Sequence, residues 1–170
     1  WVNDSRVSQR ALREIYLRGF RICVEQARPR TVMTSYNKIN GQWAHYSYDL
    51  ATTILRGEWG YEGLVITDWW MRYAPDPLFA HLADSATRVR AQVDVLMPGG
   101  RTYTSTRAEG HDDSVLACYD PDDDSGEHLT LGELQRTARN VLRMALTTRA
   151  LAGTTTESAP AGPAAAAVEG

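Results

Sequence analysis

The chain has 170 residues, 43% of them hydrophobic and 23% charged, the make-up of an ordinary folded protein long enough to bury a core. Its formal net charge is −3 and its 18 basic residues are spread along the chain, which gives no electrostatic footprint for nucleic acid or an anionic membrane. No apolar run approaches the roughly 20 residues that span a bilayer, so a small neutral or polar substrate fits better than either partner. Cys23 and Cys118 have neither metal-binding nor redox spacing and read as free thiols, which leans towards a reducing, cytoplasmic compartment.

Trp1 to Ser5 lead into a helix with no strand before it, the pattern of a piece of a longer protein. In residues 8 to 27, Leu12, Ile15, Tyr16, Phe20, Cys23 and Ala27 recur at three- and four-residue spacings, which predicts a helix with that face inward. Ser8 is its N-cap and Pro29 its stop. Thr31 to Tyr36 reads as a short buried strand, followed by a turn at Asn40-Gly41. Tyr48 to Glu58 predicts a second helix with Leu50, Ile54 and Leu55 inward, and Gly60 and Gly63 punctuate before the strand Leu64-Val65-Ile66-Thr67. A third helix, about Leu78 to Ala91, precedes a third strand, Val93 to Met97, closed by Pro98-Gly99-Gly100. Residues 101 to 128 carry no period and read as a loop or insertion. A final helix follows from about Thr130 to Leu151, with Leu131, Leu134, Ala138, Val141, Leu142, Ala145 and Leu146 on its apolar face. From Ala152 the Ala, Gly, Thr and Pro composition predicts a flexible tail, residues 152–170, and suggests a true chain end.

Short apolar strands alternating with helices imply a parallel sheet covered on both faces, either an open doubly wound sheet or a closed barrel. Three strands cannot close a barrel alone. Asp68 follows the second strand directly and precedes Trp69, which puts a carboxylate at the C-terminal mouth of a parallel strand, where such folds keep their chemistry. Capping of the next segment explains a lone strand-end Asp about as well.

Leu64-Val65-Ile66-Thr67-Asp68-Trp69 resembles the nucleophile signature of glycoside hydrolase family 3, the β-glucosidase family. Ala11 to Leu17, Val32-Met33-Thr34-Ser35-Tyr36-Asn37, Asn40-Gly41, Leu55 to Gly60 and Asp94 to Gly99 resemble that family's barrel domain in the same order, over about residues 4 to 100. The resemblance implies an α/β fold: a partial TIM-type (β/α) barrel, about its last three strands with their helices. Residues 1–151 would be the C-terminal half of the barrel domain. It further implies a retaining double displacement in which Asp68 attacks the anomeric carbon of a terminal non-reducing β-linked sugar and water releases it. Met33, Tyr36 and Trp69 carry over as residues lining the sugar pocket, the pocket role being favoured for Tyr36 and Trp69 and a core position for Met33. No cofactor and no metal are implied.

Retention also needs a general acid/base carboxyl about 5–5.5 Å from the nucleophile. Glu62 precedes the strand that Asp68 ends, and at ~3.3 Å per residue the two lie roughly 20 Å apart. Glu58 shares that end, Glu14 and Glu25 belong to an outer helix, and Glu109 and Glu127 fall in the long loop. In the resembled family the acid usually comes from a second domain, and a Lys-His pair on the preceding strand contacts the sugar; neither motif is present. The expected partners are therefore a β-linked oligosaccharide or glycoside and an acid/base domain of the same protein, preceding the barrel, with no nucleic acid and no membrane. A β-xyloside or β-N-acetylglucosaminide is the alternative substrate, and an inactive truncated or sugar-binding remnant the alternative of another class. Asp120 to Gly126 imitates a calcium loop, but its Gly is one place late and Leu131 stands at the twelfth position, so a solvated acidic loop is expected. His45, His81, His111 and His128 share no ligand spacing and read as surface or loop residues. Asp94, within a strand, reads as a buried structural hydrogen-bonding group.

Overall fold

A computed structural model describes residues 3–69, 84–97, 115–116 and 118–148. Three strands, β2 (Thr31–Met33), β5 (Leu64–Trp69) and β6 (Val95–Met97), form a parallel sheet in the order β2-β5-β6, so the strand carrying Asp68 is the central one. A helix lies between each successive pair: Asp49–Glu58 before β5 and Asp84–Arg90 before β6. A smaller sheet of β1 (Asp4–Ser5), β3 (Lys38–Ile39) and β4 (Gln42–Trp43) sits beside it. Its β3 and β4 are joined through Asn40 and Gly41, both at positive φ (53° and 89°), the two-residue turn that Asn-Gly favours because it matches strand twist.

The predicted strand at Thr31 to Tyr36 ends at Met33, and Tyr36 lies in the bend beyond. Val65 and Val32 pair in register and turn to the helices, where Val65 packs with Val24, Ala51, Leu55, Tyr61 and Val93. Complete burial of such a valine contributes on the order of 1.5–3 kcal/mol. Gly63 is required where β5 begins: a Cβ there would collide with the Tyr61 ring and come within 2.7 Å of the Arg30 carbonyl. Gly60, at φ 65°, turns the chain out of the second helix.

Two helix faces differ from the periodic expectation. The first helical run, residues 9–27, is capped by the Ser8 hydroxyl and ends where Arg28 turns left-handed at φ 47°. It buries Leu12 and Val24 and leaves Ile15, Tyr16, Phe20 and Cys23 exposed. Leu12–Tyr16 and Cys23–Ala27 are π-helical, and each π turn changes the rotation per residue, so a face drawn at 3.6 residues per turn is not the face presented. Tyr16 and Phe20 instead line an apolar cavity of about 500 Å³ with Val24, Leu50, Ile54 and Val65.

The final helix, Leu131–Leu146, starts at a capping box in which Thr130 and Glu133 satisfy each other's backbone amides. Its Leu131, Val141, Leu142 and Leu146 are exposed, against expectation. Polar bonds set its rotation. Asn140 donates to Asp94 at 2.8 Å, Arg136 to the Val89 carbonyl at 2.7 Å, and Glu133 pairs with Arg90 at 2.8 Å. Turning the apolar stripe inward would break these bonds and leave their groups buried without partners. Residues 149–151 of the predicted helix, the predicted tail, and most of the long loop lie outside the described residues.

Candidate active site

Alternating side chains give β5 two faces, and Val65 and Thr67 are its buried residues, 1% and 2% exposed. Asp68 is half-buried at the C-terminal end of the strand, inside the ladder and not just past it. There the register shifts. Ile66 opposes Val95 and Trp69 opposes Met97, so Thr67 and Asp68 together stand against Leu96 alone, the two-against-one count of a β-bulge. The Thr67 hydroxyl accepts the Met97 amide at 2.7 Å across the irregularity.

Asp68 accepts the amide of its own neighbour, Trp69, at 2.7 Å. Tyr36 reaches over from the bend after β2 and donates its hydroxyl to the Trp69 carbonyl. Burial, and then the Asp68 carboxylate beside it, raise the Tyr36 pKa above its ordinary value. The hydroxyl therefore stays protonated beside the acid, with its proton on the Trp69 carbonyl. Trp69 is 36% exposed at the strand end. Met33 opposes Ile66 across the β2–β5 ladder, is 53% exposed and lines the apolar cavity. The sheet thus brings Tyr36, Asp68 and Trp69 together, with Met33 on the neighbouring strand. The apolar cavity is lined by none of the three.

A model of the glycosyl hydrolase family 3 N-terminal domain matches residues 2–115. The chain belongs to glycosyl hydrolase family 3. It is 42% identical over 149 residues, 88% of its length, to a β-glucosidase of Ruminococcus albus, of which it spans 15%. Among solved structures it resembles a β-glucosidase from Paenibacillus barengoltzii, with a TM-score of 0.70 and 43% identity over 92% of the chain and 16% of that protein. It also resembles β-glucosidase 3B from Thermotoga neapolitana in complex with glucose, with a TM-score of 0.70 and 33% identity over 89% of the chain and 19% of that protein. The chain is thus less than a fifth of the length of these family 3 relatives.

Other charged groups of this family 3 chain are committed to structure. Asp94, its side chain fully buried, accepts from Arg56 at 2.7 Å, from the Val65 amide at 2.9 Å and from Asn140 at 2.8 Å. It ties the second helix, β5 and the final helix together just before β6. Burial is the largest influence on its carboxyl and pushes its pKa up, against the lowering effect of those donors. Glu14 pairs with Arg10, Glu25 with Arg21, Glu58 with Arg13, Glu62 with Arg143 and Glu133 with Arg90. Glu109 lies outside the described residues.

His45 corrects the surface expectation. It is 1% exposed, and its Nδ1 accepts from the Arg88 Nε at 3.1 Å. Burial and then the Arg88 charge lower its pKa to about 2, so it is a neutral core group. Its apolar neighbours Trp43, Ala44 and Tyr46 were the available signal. His128 sits in the acidic loop, 2.9 Å from Asp123, while His81 and His111 lie outside the described residues. In that loop, bonds from Ser125 and then His128 hold the Asp123 carboxyl well below its usual range. Among the described residues no three His, Cys, Asp or Glu side chains gather as a metal site, and no helix is long and apolar enough to cross a membrane.

Proposed function

We propose that the chain is part of the (β/α) barrel of a retaining β-glycosidase and that Asp68 is its nucleophile. The observation that carries this reading is the meeting of Asp68, Tyr36 and Trp69 at the C-terminal end of the central parallel strand, the end at which barrel enzymes do chemistry. The Asp68 carboxylate attacks the anomeric carbon, the bond to the aglycone oxygen breaks, and a glycosyl ester forms on Asp68. Water then attacks the same carbon and frees the carboxylate, so two inversions give retention. Tyr36 gives its proton to the Trp69 carbonyl and so helps fix the strand end on which the acid stands. The half-exposed indole of Trp69 offers an apolar face to a pyranose ring. Family membership and the names of the relatives support a β-glucoside as substrate.

We place the general acid/base outside the described residues, because Glu14, Glu25, Glu58, Glu62 and Glu133 stand beside arginines and Glu127 lies in the exposed acidic loop. The exposed apolar stripes at Ile15, Tyr16 and Phe20 and at Leu142 and Leu146 support a chain that completes its barrel with further protein and has no activity alone. Asp68→Gly in the full-length protein is the test. Turnover of an aryl β-glucoside should fall by about 10³-fold or more, as when a covalent nucleophile is removed. Azide, small enough for the vacated space, should restore it with an α-glycosyl azide as product. Retained turnover in Asp68→Gly, or a β-azide, would overturn the assignment, and turnover by the isolated chain would overturn the claim of inactivity.

A further inference from the structure

We infer that Thr67 is a positioning residue for Asp68: its hydroxyl pins the bulge in β5 that sets the direction of the following carboxylate. The inference rests on Asp68 being the nucleophile. Thr67 is 2% exposed and shares its strand with the buried Val65. A valine would fill that place with nearly the same shape and equal suitability for a strand, and without a hydroxyl to desolvate. The hydroxyl is bonded at 2.7 Å to the Met97 amide, in the stretch where two residues of β5 oppose one of β6. This bond anchors the ends of both strands to each other where the regular register is lost.

Among the described residues, the holds on Asp68 pass through that short piece of backbone. Asp68 is bonded to the Trp69 amide, and Tyr36, the group beside it, is bonded to the Trp69 carbonyl. Trp69 in turn stands opposite Met97, whose amide Thr67 holds. Loss of the Thr67 bond frees the bulge to relax towards regular pairing, which turns Asp68 and shifts its Tyr36 contact. Misplacement of a reacting group by ~1 Å costs about 10²-fold in rate.

The test compares wild type, Thr67→Val, Thr67→Ser and Asp68→Asn in the full-length protein, by trapping with a 2-fluoro aryl β-glucoside. This reads the attack step as a rate constant separate from the binding constant. Thr67→Val should trap about 10- to 100-fold more slowly with its binding constant within about 2-fold of wild type, because only the attacking group has moved. Thr67→Ser, which keeps the hydroxyl, should recover to within about 3-fold. A purely structural role would lower the melting temperature of Thr67→Val and the fraction of active enzyme without changing the rate per active site. Wild-type trapping by Thr67→Val, or a loss wholly in binding, would overturn the inference. If Thr67→Val does not fold, Thr67→Cys takes its place with the same outcomes, since a thiol is a poor acceptor. Asp68→Asn separates the two claims: if it still traps, the nucleophile assignment fails, whereas an inert Asp68→Asn beside a fast Thr67→Val removes only the role of Thr67.

Discussion

Acid should destabilise this chain through His45 in a way that can be isolated and measured. The imidazole is 1% exposed and accepts the Arg88 Nε–H at Nδ1, so a proton there would remove an acceptor and set two positive charges 3.1 Å apart. Its pKa is about 2 when folded against 6.5 as the ordinary value. The depressed value fixes the sign: the contribution to stability is present above pH 6.5 and is lost as the pH falls from there towards the folded pKa. The slope is ~1.36 kcal/mol per pH unit, so at about pH 4.5, two units below the unfolded value, about 2.7 kcal/mol has gone. That is a large part of a typical stability of roughly 5–15 kcal/mol. His45→Gln keeps an acceptor for Arg88 and removes the titration. Urea unfolding of both proteins across pH 4.5 to 7.5 cancels the other groups and leaves the His45 difference, which should grow by the full amount towards acid. Parallel curves, or a His45 imidazole resonance that titrates near pH 6, would refute the reasoning.

Asp94→Ala should cost about 3–5 kcal/mol in urea unfolding, because it strips the carboxylate from the nearly buried guanidinium of Arg56; a loss under about 1 kcal/mol would contradict the role given to Asp94. Asp94→Asn should cost less, since burial already favours the uncharged carboxyl. Removing the Asp68 charge with Asp68→Asn should lower the Tyr36 pKa towards, but not to, its ordinary value, because burial is the larger cause and stays; phenolate absorbance, with Tyr36→Phe as the blank, reads it, and an unchanged titration would separate the two groups.

Much of the strand framework was legible, because the strands of the parallel sheet are short apolar runs set off from the helices before them, as by Gly60 and Gly63 before β5. The Asn40-Gly41 turn was legible for a stereochemical reason, since few other pairs tolerate two positive φ values in succession. The end of β5 was only half legible. The apolar run placed Asp68 just past the strand, but the extra residue at Thr67 and Asp68 has no signal in a two-residue period, since it depends on where Val95 and Met97 find partners. The helix faces were misread for the same kind of reason. Leu12 and Cys23 share a face only if every turn holds 3.6 residues, and π turns at Leu12–Tyr16 and Cys23–Ala27 break that condition, so the one is buried and the other exposed. In the final helix, polar bonds at Asn140 and Arg136 fix which face turns to the sheet, and hydrophobic pattern alone carries no sign of them. His45 was lost to a composition argument, because histidine is counted polar until its neighbours are seen to enclose it.

The central claim is the covalent role of Asp68, and trapping followed by peptide mapping tests it most directly. The full-length protein is inactivated with a 2-fluoro aryl β-glucoside, digested at low pH to preserve the ester, and the peptide heavier by one 2-fluoroglycosyl group is sequenced by mass spectrometry. The label should sit on Asp68, within Leu64-Val65-Ile66-Thr67-Asp68-Trp69. A label on any other carboxylate, or inactivation that leaves no covalent sugar, would contradict it.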